Sequence, residues 1–324
     1  MSGPRATLSQ RAVAALVAGL TALAVRLPEG LLFRAADLAG TAHYLIARRR
    51  RALARRNLRR VLRYLVANGP TTPQVLAGAR GGRDLERLVR GVFQGHARYY
   101  LEVMRTARYT ADHLAERLDL DDPDLVSAAF GAVRPGHGAI FVGLHFGAME
   151  LPVLYASHLY RLSVVAPMET IDNPALQAYY VTQRSRVGIR LIDPAGARQA
   201  LTQALEDGAA VAIVGDRDLG GASRPVRFFG AEANLPVGPT LLTIQTGLPC
   251  WITGIRRTAD GEYAARLYRL DAAAEGALDR TVPLRERVAR LMAAQARAFE
   301  RIVADAPEQW WSLLFPLWGE GAGR

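Results

Sequence analysis

Five short apolar runs alternate with longer segments of mixed polarity between residues 139 and 256 of this 324-residue chain. Runs of this length are typical of buried strands, and the segments between them are long enough for helices. Such an alternation favours an α/β fold, with a central, mostly parallel sheet flanked by helices. We predict strands at 139–144, 162–166, 189–193, 210–215 and 249–256, and helices at 147–158, 174–186, 195–206 and 236–246.

The sheet is predicted to belong to a single domain that spans residues 1–324, because no stretch of the sequence is typical of a linker. Residues 1–130 are predicted to form a helical, hydrophobic and basic N-terminal part, and residues 131–324 the α/β body. The remaining predicted elements are a Pro/Gly/Thr-rich loop at 70–82, a helical stretch at 85–118, an edge strand at 263–268 and a final helix at 282–304.

Residues 8–25 are predicted to form a hydrophobic helix near the N-terminus. Ala12 to Val25 carry no charge, and these residues would be about 21 Å long as a helix. That length is short of a hydrocarbon core about 30 Å thick. We therefore expect a helix that lies in the plane of a membrane or in the protein core, and not one that spans a bilayer. A signal peptide is disfavoured because no convincing cleavage site follows.

The segment from Tyr44 to Leu65 combines helical apolar spacing with many arginines. The formal net charge of the chain is +11, and nine arginines with no acidic residue lie between Arg48 and Arg63. A basic amphipathic helix is typical of an anionic membrane surface. The alternative is an ordinary solvated helix face. Nucleic acid is the weaker third option, because no aromatic residues interleave the arginines and no recognition fold follows.

Several classes of site are absent from the sequence. One cysteine, Cys250, excludes an intramolecular disulfide framework, and its apolar surroundings predict a buried structural thiol. No cluster of residues has the spacing of a metal site, and no phosphate loop or dinucleotide fingerprint occurs. The Gly-x-Ser-x-Gly elbow of serine hydrolases is also missing. We therefore expect neither a metal nor a bound cofactor.

His145 follows the first predicted strand directly, and Glu150 lies five residues later. A histidine at the carboxyl end of a strand is well placed for a ligand in an open α/β sheet. The imidazole would act as general base, and the carboxylate would hold the ring in one tautomer. Gly147 leaves room near the ring and is a candidate backbone donor to an oxyanion. The alternative is that His145 is a structural residue.

A second polar cluster, Asp216-Arg217-Asp218, follows the predicted strand at 210–215. Asp216 should therefore face the same cleft as His145, where the cluster would orient the histidine or bind a polar substrate group. The alternative is an ion pair that braces a loop. Further on, Gly238 lies at a predicted helix start whose free N–H groups could bind an anion.

The chain resembles the bacterial lipid A / phosphatidylinositol mannoside acyltransferase family in four elements that occur in the right order. Phe228 to Pro239, followed by Gln245-Thr246-Gly247, is most similar to the phosphatidylinositol mannoside branch. The four elements are Arg56-Asn57-Leu58-Arg59-Arg60-Val61-Leu62, the His145-x4-Glu150 box, Asp216 to Leu219 continuing through Phe228-Phe229-Gly230 to Leu235-Pro236-Val237-Gly238-Pro239, and Pro307-Glu308-Gln309-Trp310-Trp311 with Trp318.

The resemblance implies a sheet flanked by helices, His145 as general base, and Glu150 as its partner. It also implies that Asp216 belongs to the site and that Arg184 is an arginine near the cleft. The mannoside branch usually has Asp at the position of Glu150 and Glu at that of Asp216. Phe146 and Met149 also depart from its pattern. These differences leave the chemistry intact and bear on the identity of the acceptor.

The function implied by the resemblance is transfer of a fatty acyl group from an acyl thioester to a glycolipid hydroxyl, on the cytoplasmic face of the cell membrane. The acceptor would be a phosphatidylinositol mannoside or a lipid A-like molecule. Acyl-CoA or an acyl carrier protein would be the donor, as a co-substrate. Two alternatives remain open at this point. One is a glycerophosphate or lysophospholipid acyltransferase, and the other is a non-catalytic peripheral membrane-binding protein with the same fold.

Overall fold

The computed structural model describes residues 6–69, 71–168, 171–193, 196–218, 222–259 and 261–319. Nine strands and twelve α-helices lie within these ranges. The strands are β1 (Leu118–Leu120), β2 (Ala139–Gly143), β3 (Val164–Pro167), β4 (Ile189–Ile192), β5 (Ala210–Val214), β6 (Ser223–Phe228), β7 (Ala231–Pro236), β8 (Cys250–Ala259) and β9 (Glu262–Leu270). The helices are α1 (Leu8–Arg26), α2 (Glu29–Ile46), α3 (Arg48–Asn68), α4 (Pro73–Ala79), α5 (Gly82–Arg105), α6 (Ala111–Arg117), α7 (Pro123–Gly131), α8 (Leu151–His158), α9 (Pro174–Arg186), α10 (Ala197–Glu206), α11 (Gly238–Thr246) and α12 (Leu284–Asp305).

Seven strands form one sheet in the order β1-β9-β8-β2-β5-β3-β4. The pair β8/β9 is antiparallel, and the other neighbouring pairs are parallel. The predicted α/β class with a mostly parallel sheet is confirmed. The two remaining strands, β6 and β7, form a separate antiparallel hairpin.

Side chains of the central strand β2 alternate between two hydrophobic clusters, one on each face of the sheet. Ile140 and Val142 belong to the cluster with α3, α5 and α12. Phe141 belongs to the cluster with α7 and α8. Because β2 is covered on both faces, its side chains are almost all apolar, as expected for a strand in a parallel sheet.

The helices α1 and α2 expose much of their apolar surface. Ala24 is the one buried residue among the 19 of α1, so the predicted core location for this helix is wrong. With 19 residues, α1 is also longer than the uncharged stretch from Ala12 to Val25. By length and composition α1 is the one helix among the described residues that could cross a membrane. Large exposed apolar side chains on the two helices are Leu8, Val13, Leu16, Leu20, Leu23, Leu31, Leu38, Leu45 and Ile46.

Several boundaries differ from the prediction for local reasons. Residues 70–82 were predicted as a loop but contain α4, because Thr72 caps its N-terminus by accepting from the N–H of Val75 and Pro73 occupies the first turn. The basic segment predicted from Tyr44 is divided between α2 and α3. Finally, β9 is not an edge strand, because β1 pairs with its outer side. The predicted start of α10 at residue 195 lies outside the described residues.

Candidate active site

The carboxyl ends of β2 and β5 lie side by side, and each is followed by one of the predicted polar residues. The strands are parallel neighbours, with Gly143 beside Val214. His145 and Asp216 each come two residues after these positions. The side chains therefore meet, as expected for residues that follow adjacent parallel strands.

Asp216 is fully buried and accepts hydrogen bonds from three residues. Its Oδ1 atom lies 2.7 Å from Nδ1 of His145, and its Oδ2 atom accepts from the backbone N–H of His145 at 3.2 Å. Oδ2 also accepts from the indole N–H of Trp310 at 2.7 Å and from the hydroxyl of Ser312 at 2.8 Å. Burial raises the pKa of Asp216, but His145 and these hydrogen bonds outweigh it and bring the pKa below its usual value. The carboxylate stays ionised and fixes the imidazole ring.

The ring of His145 is held by packing as well as by Asp216. It meets the ring of Trp311 edge-on at 4.4 Å between centroids, and Trp311 stacks on Tyr99 at 5.1 Å. When Nδ1 donates to the Asp216 carboxylate, the lone pair is on Nε2. Because His145 lines a cavity of the protein, Nε2 is the nitrogen available to a ligand. The arrangement is that of an oriented general base.

Glu150 does not hold His145, and the prediction that it is the partner of the histidine is wrong. Its Oε1 atom accepts from the guanidinium of Arg184 at 2.5 Å and from the hydroxyl of Tyr99 at 3.4 Å. The predicted helix from residue 147 begins only at Leu151, so the chain turns between the two residues. Glu150 and Arg184 nevertheless line the same cavity as His145, and Glu150 raises the pKa of the Arg184 guanidinium.

Gly147 shapes that turn and is not a free backbone donor. Its φ angle is 52°, in the region that favours glycine. Its N–H donates to the carbonyl of Gln309 at 3.1 Å, and its own carbonyl accepts from Arg257 at 2.9 Å. The N–H of Gly147 itself is therefore not free for an oxyanion, and an oxyanion donor elsewhere near Gly147 stays a prediction.

The buried ion pair of Arg257 and Glu102 contacts the turn at Gly147. The guanidinium of Arg257 lies 2.5 Å from the Glu102 carboxylate on α5 and donates also to the carbonyl of Gly147. The hydroxyl of Tyr263 donates to the same carboxylate at 3.3 Å. Sequence reasoning missed this network, since no local spacing connects residues 155 positions apart. The signal available in the sequence was the charge of Glu102 within a predicted helical stretch and of Arg257 directly after a predicted strand.

Of the predicted site residues Arg217, Asp218 and Gly238, the first two lie at the cavity. Arg217 and Asp218 line it, and the Arg217 guanidinium lies 4.0 Å from the ring centroid of Phe315. The hydroxyl of Ser223 donates to Asp218 at 2.8 Å. Gly238 begins α11 and is not among the residues lining the cavity, so its predicted site role has no support. The loop residues 219–221 lie outside the described residues.

The cavity has a volume of about 990 Å³, and most of the residues that line it are apolar. Its polar lining includes His145, Glu150, Arg184 and Arg217, together with Arg50, His96 and Asp218. The apolar part lies between α8 and one face of the sheet, where side chains of four adjacent strands are in register. These floor residues are Phe141, Val164, Ala166, Ile189, Leu191, Ala210 and Ala212.

Other candidates for chemistry are structural or lie elsewhere. Cys250 is buried, and burial raises the pKa of its thiol to about 12, which makes it inert as a nucleophile. Within the described ranges, no group of three or more His, Cys, Asp or Glu residues could hold a metal ion.

Comparison with known sequences decides the family. The profile of the family described as "Bacterial lipid A biosynthesis acyltransferase" matches residues 4–318. The chain belongs to this acyltransferase family. Two curated relatives are named phosphatidylinositol mannoside acyltransferase, from Mycobacterium tuberculosis strains ATCC 25618 / H37Rv and CDC 1551 / Oshkosh. Each is 27% identical over 173 residues, which cover 50% of this chain and 53% of the relative. The match thus spans about half the length of these relatives.

The family resemblance seen in the sequence is confirmed, and the relatives support its mannoside branch. The acyltransferase motifs converge around Asp216. On α3, Asn57 donates to the carbonyls of Leu313 and Phe315, both at 3.0 Å. Trp318 donates to the carbonyl of Phe228 at 2.9 Å. These bonds fix the C-terminal segment that carries Trp310 and Ser312. Motifs far from His145 in the sequence therefore position the two residues that donate to Asp216.

Proposed function

We propose that this protein transfers a fatty acyl group from an acyl thioester to a hydroxyl group of a glycolipid at a membrane surface. The observation that carries the proposal is that His145, held by Asp216 as a general base would be, lines a mostly apolar cavity of about 990 Å³. A general base beside space for an alkyl chain is what acyl transfer between lipids requires. Membership of the acyltransferase family supports the same reaction.

In the proposed reaction, Nε2 of His145 takes the proton of the acceptor hydroxyl as its oxygen forms a bond to the thioester carbonyl carbon. The resulting imidazolium is stabilised by the ionised Asp216. When the tetrahedral intermediate collapses, the C–S bond breaks and the thiolate receives the proton from the imidazolium. The products are the acylated glycolipid and a free thiol. No covalent acyl-enzyme is needed.

The acyl chain of the donor occupies the apolar part of the cavity, beneath α8. Small residues on β3 and β5, Ala166, Ala210 and Ala212, leave space above the sheet. Burial of each methylene group contributes about 0.8 kcal/mol to binding. A long chain is therefore held firmly, and its thioester end remains at the polar opening beside His145.

The acceptor is a phosphatidylinositol mannoside or a similar glycolipid. The name of the two relatives supports this choice. The ion pair of Glu150 and Arg184 offers acceptor and donor groups at the opening of the cavity. Such a pair can bind adjacent hydroxyl groups of a sugar, which would orient one of them toward Nε2 of His145.

The protein binds the cytoplasmic face of the membrane through α1 and α2. Leu16 and Leu38, for example, are 63% and 72% exposed. Exposed apolar side chains of this size on two adjoining helices are typical of a surface that enters lipid. This location would bring a lipid acceptor to the cavity without its complete extraction from the bilayer.

The test is release of free thiol from palmitoyl-CoA by the purified protein, with and without a mannoside-lipid extract, followed by mass spectrometry of the lipids. His145→Ala should lower the rate by a factor of about 10² or more. The matched control is His137→Ala, at an exposed turn away from the cavity, which should keep wild-type activity.

Thiol release that needs the lipid extract, together with a new acylated glycolipid, would support the proposal and identify the acceptor. Acylation of a lysophospholipid in preference to the glycolipid would contradict the acceptor class. Absence of turnover with both coenzyme A and carrier-protein thioesters, with vesicle binding unchanged in His145→Ala, would favour a non-catalytic membrane-binding protein.

A further inference from the structure

Two arginines that line the cavity beside His145 contact the same aromatic ring. The guanidinium of Arg217 lies 4.0 Å from the ring centroid of Phe315, and that of Arg50 lies 5.3 Å from it. Phe315 lines the cavity as well. Contact with the face of a ring uses none of the five N–H groups of a guanidinium. Both arginines therefore keep hydrogen-bond donors for a ligand.

The acidic groups of the cavity have other partners. Glu150 pairs with Arg184, and Asp218 accepts from the hydroxyl of Ser223 at 2.8 Å. In the part of the chain that the structure describes, neither of the two arginines beside Phe315 forms an ion pair. Two positive charges that face one cavity without an acidic partner favour the binding of an anion there.

Hydrogen bonds within the protein do not explain the position of Arg217 either. Arginines that serve the fold donate to backbone or carboxylate oxygens, as Arg105 does to the carbonyl of Ala24 and Arg257 to Glu102. The Nε–H of Arg217 is buried and has no acceptor among the described residues. Such a group is unusual in a folded protein. Arg217 is therefore held against Phe315 without using its donors.

The fold brings the two arginines to Phe315 from separate elements. Arg50 and Asn57 are seven residues apart, so they lie on the same face of α3. Asn57 donates to the carbonyl of Phe315 at 3.0 Å, and Arg217 directly follows Asp216 after β5. Arg50 is exposed and Arg217 is half-buried. Because an exposed residue lines it here, the cavity reaches the surface of the protein at Arg50.

α3 begins with a concentration of positive charge that no residue of the helix balances. Its first four residues, Arg48 to Arg51, are all arginines, and the helix contains no acidic residue. The N-terminal end of a helix already has a partial positive charge. Four arginines at this end are therefore unfavourable for the helix alone, and an anion bound beside Arg50 would offset this.

The charge of the two arginines also reaches His96, which lines the same cavity. Burial lowers the pKa of His96 most, and nearby cationic groups, among them Arg50, His145 and Arg217, lower it further, to about 4. The histidine is thus neutral at physiological pH, and the electrostatic potential around it is positive. This part of the cavity suits an anionic group of a substrate.

We propose, on the basis of the proposed function, that Arg50 and Arg217 bind the phosphodiester group of a phosphatidylinositol-based acceptor. Guanidinium groups bind phosphate oxygens with paired hydrogen bonds. The ring of Trp311 lies 6.3 Å from that of Phe315 and 4.4 Å from that of His145. The sugar part of the lipid would therefore extend from the phosphate past Trp311 to the general base. A glycolipid without this phosphate would be a poor acceptor.

The surroundings of Arg50 favour a lipid phosphate over the phosphate of a phosphopantetheine arm in the donor, which has the same chemistry. Leu45 and Ile46, at the end of α2, are 60% and 78% exposed. Arg51 donates to the carbonyls of Tyr44 and Leu45 at 3.0 and 3.3 Å, so the start of α3 is tied to this end of α2. Apolar side chains that enter a membrane lie next to its phosphate groups. Arg50 is therefore close to the level of the lipid phosphates.

The test measures binding of a soluble short-chain lipid, dihexanoyl phosphatidylinositol, by calorimetry in wild type and in Arg50→Gln/Arg217→Gln. The control is Arg83→Gln/Arg285→Gln, which removes the same charge at exposed positions on α5 and α12. We expect the cavity variant to bind at least about tenfold more weakly, since one hydrogen bond to a charged group is of that magnitude. Arg50→Gln alone, at an exposed position, should change affinity in the same direction. The control should bind as wild type does.

Two further ligands identify the group that is bound. Hexyl mannoside, which has no phosphate, should bind equally to all of these proteins, and coenzyme A should do so too. In the enzymatic assay, KM for a phosphatidylinositol mannoside should rise at least about tenfold in the double variant, with KM for palmitoyl-CoA unchanged.

Equal affinity of all the proteins for dihexanoyl phosphatidylinositol would overturn the proposal, even where acyl transfer to a glycolipid is observed. A loss of coenzyme A affinity with phosphatidylinositol affinity intact would also overturn it, because the two arginines would then belong to the donor site. If no thioester turns over but phosphatidylinositol binding depends on the two arginines, the phosphate site stands and the proposed reaction fails.

Discussion

A Cβ atom on Gly147 would lie 1.9 Å from the carbonyl oxygen of Ile255. The turn that follows His145 is thus pressed against β8, and only glycine fits there. The close approach is fixed on one side by the N–H of Ala148, which donates to the same carbonyl at 2.9 Å. The histidine is positioned by the backbone that follows it as much as by its hydrogen-bond partner.

The first prediction follows from this contact. Gly147→Ala should lower the free energy of unfolding by at least about 2 kcal/mol, because it combines a positive φ with a steric clash. Urea denaturation followed by circular dichroism measures the change. Gly131→Ala is the control, since that exposed residue at the end of α7 has open space around it. A Gly147→Ala protein as stable as the control would show that the turn is not tightly packed.

The second prediction separates the two carboxylates. Asp216→Asn should lower kcat by a factor of about 10² or more, because an amide cannot stabilise the imidazolium and can present a donor to Nδ1. Glu150→Gln leaves the His145–Asp216 pair intact, so its main effect should be on KM for the acceptor. Steady-state kinetics at saturating acyl donor distinguishes these outcomes. A larger loss of kcat in Glu150→Gln than in Asp216→Asn would restore Glu150 as the partner of the histidine.

The third prediction concerns pH and His96, which lines the cavity beside Trp311. Burial, followed by nearby cationic groups, lowers the pKa of His96 to about 4. The unfolded chain therefore binds a proton below about pH 6.5 that the folded protein does not, and stability falls from there to about pH 4. At about pH 4 the free energy of unfolding should be lower than at neutral pH by about 3 kcal/mol.

Denaturant unfolding between pH 7 and pH 4 measures this effect against His96→Gln, which should lose stability less steeply with falling pH. His137→Gln, at an exposed position, should behave as wild type. Asp216 does not interfere, because its pKa is lowered and its stabilising contribution is lost only below the usual carboxyl value of 3.8. Parallel curves for wild type and His96→Gln would refute the prediction.

The fourth prediction tests the cavity as the acyl site. Ala212→Leu should fill part of the floor and shift preference toward shorter thioesters, whereas Leu191→Ala should enlarge it and favour longer ones. Each methylene excluded costs about 0.8 kcal/mol, or about fourfold in kcat/KM. A series of acyl-CoA donors of increasing length measures both variants. The two variants should shift in opposite directions, and a common loss of rate at every length would contradict an acyl site on this floor.

The sequence predicted those parts of the fold in which local pattern and tertiary environment agree. The runs that became β2 and β5 are apolar because both sheet faces are covered, and their ends brought His145 and Asp216 together as expected. The hairpin of β6 and β7 was missed, because its turn is Phe229-Gly230 and not a common primed-turn pair such as Asn-Gly. The positive φ of Phe229 is what such a two-residue turn requires, and its ring packs against Tyr64 and Trp310, contacts that no local pattern indicates.

The sequence predicted that His145 and Asp216 meet, but it paired the histidine with Glu150. Helical geometry placed Glu150 in the first turns of a helix near His145. In the structure the contact of Gly147 with β8 delays the helix and directs Glu150 toward Arg184. Trp310 and Ser312 had to be missed as partners of Asp216, because they lie 94 and 96 positions away along the chain. Contacts between residues so far apart in the sequence depend on how the whole fold packs.

The hydrogen bonds from Trp310 and Ser312 also set an order on the assembly of the site during synthesis. His145 and Asp216 leave the ribosome well before the segment that supplies two of the four donors to the buried carboxylate. Until that segment docks on α3 through Asn57, an ionised Asp216 lacks half of what compensates its burial. His145 and Asp216 are therefore both synthesised before the buried carboxylate can have all four of its donors, and this hydrogen-bonded arrangement is complete only once residues 310–318 have docked.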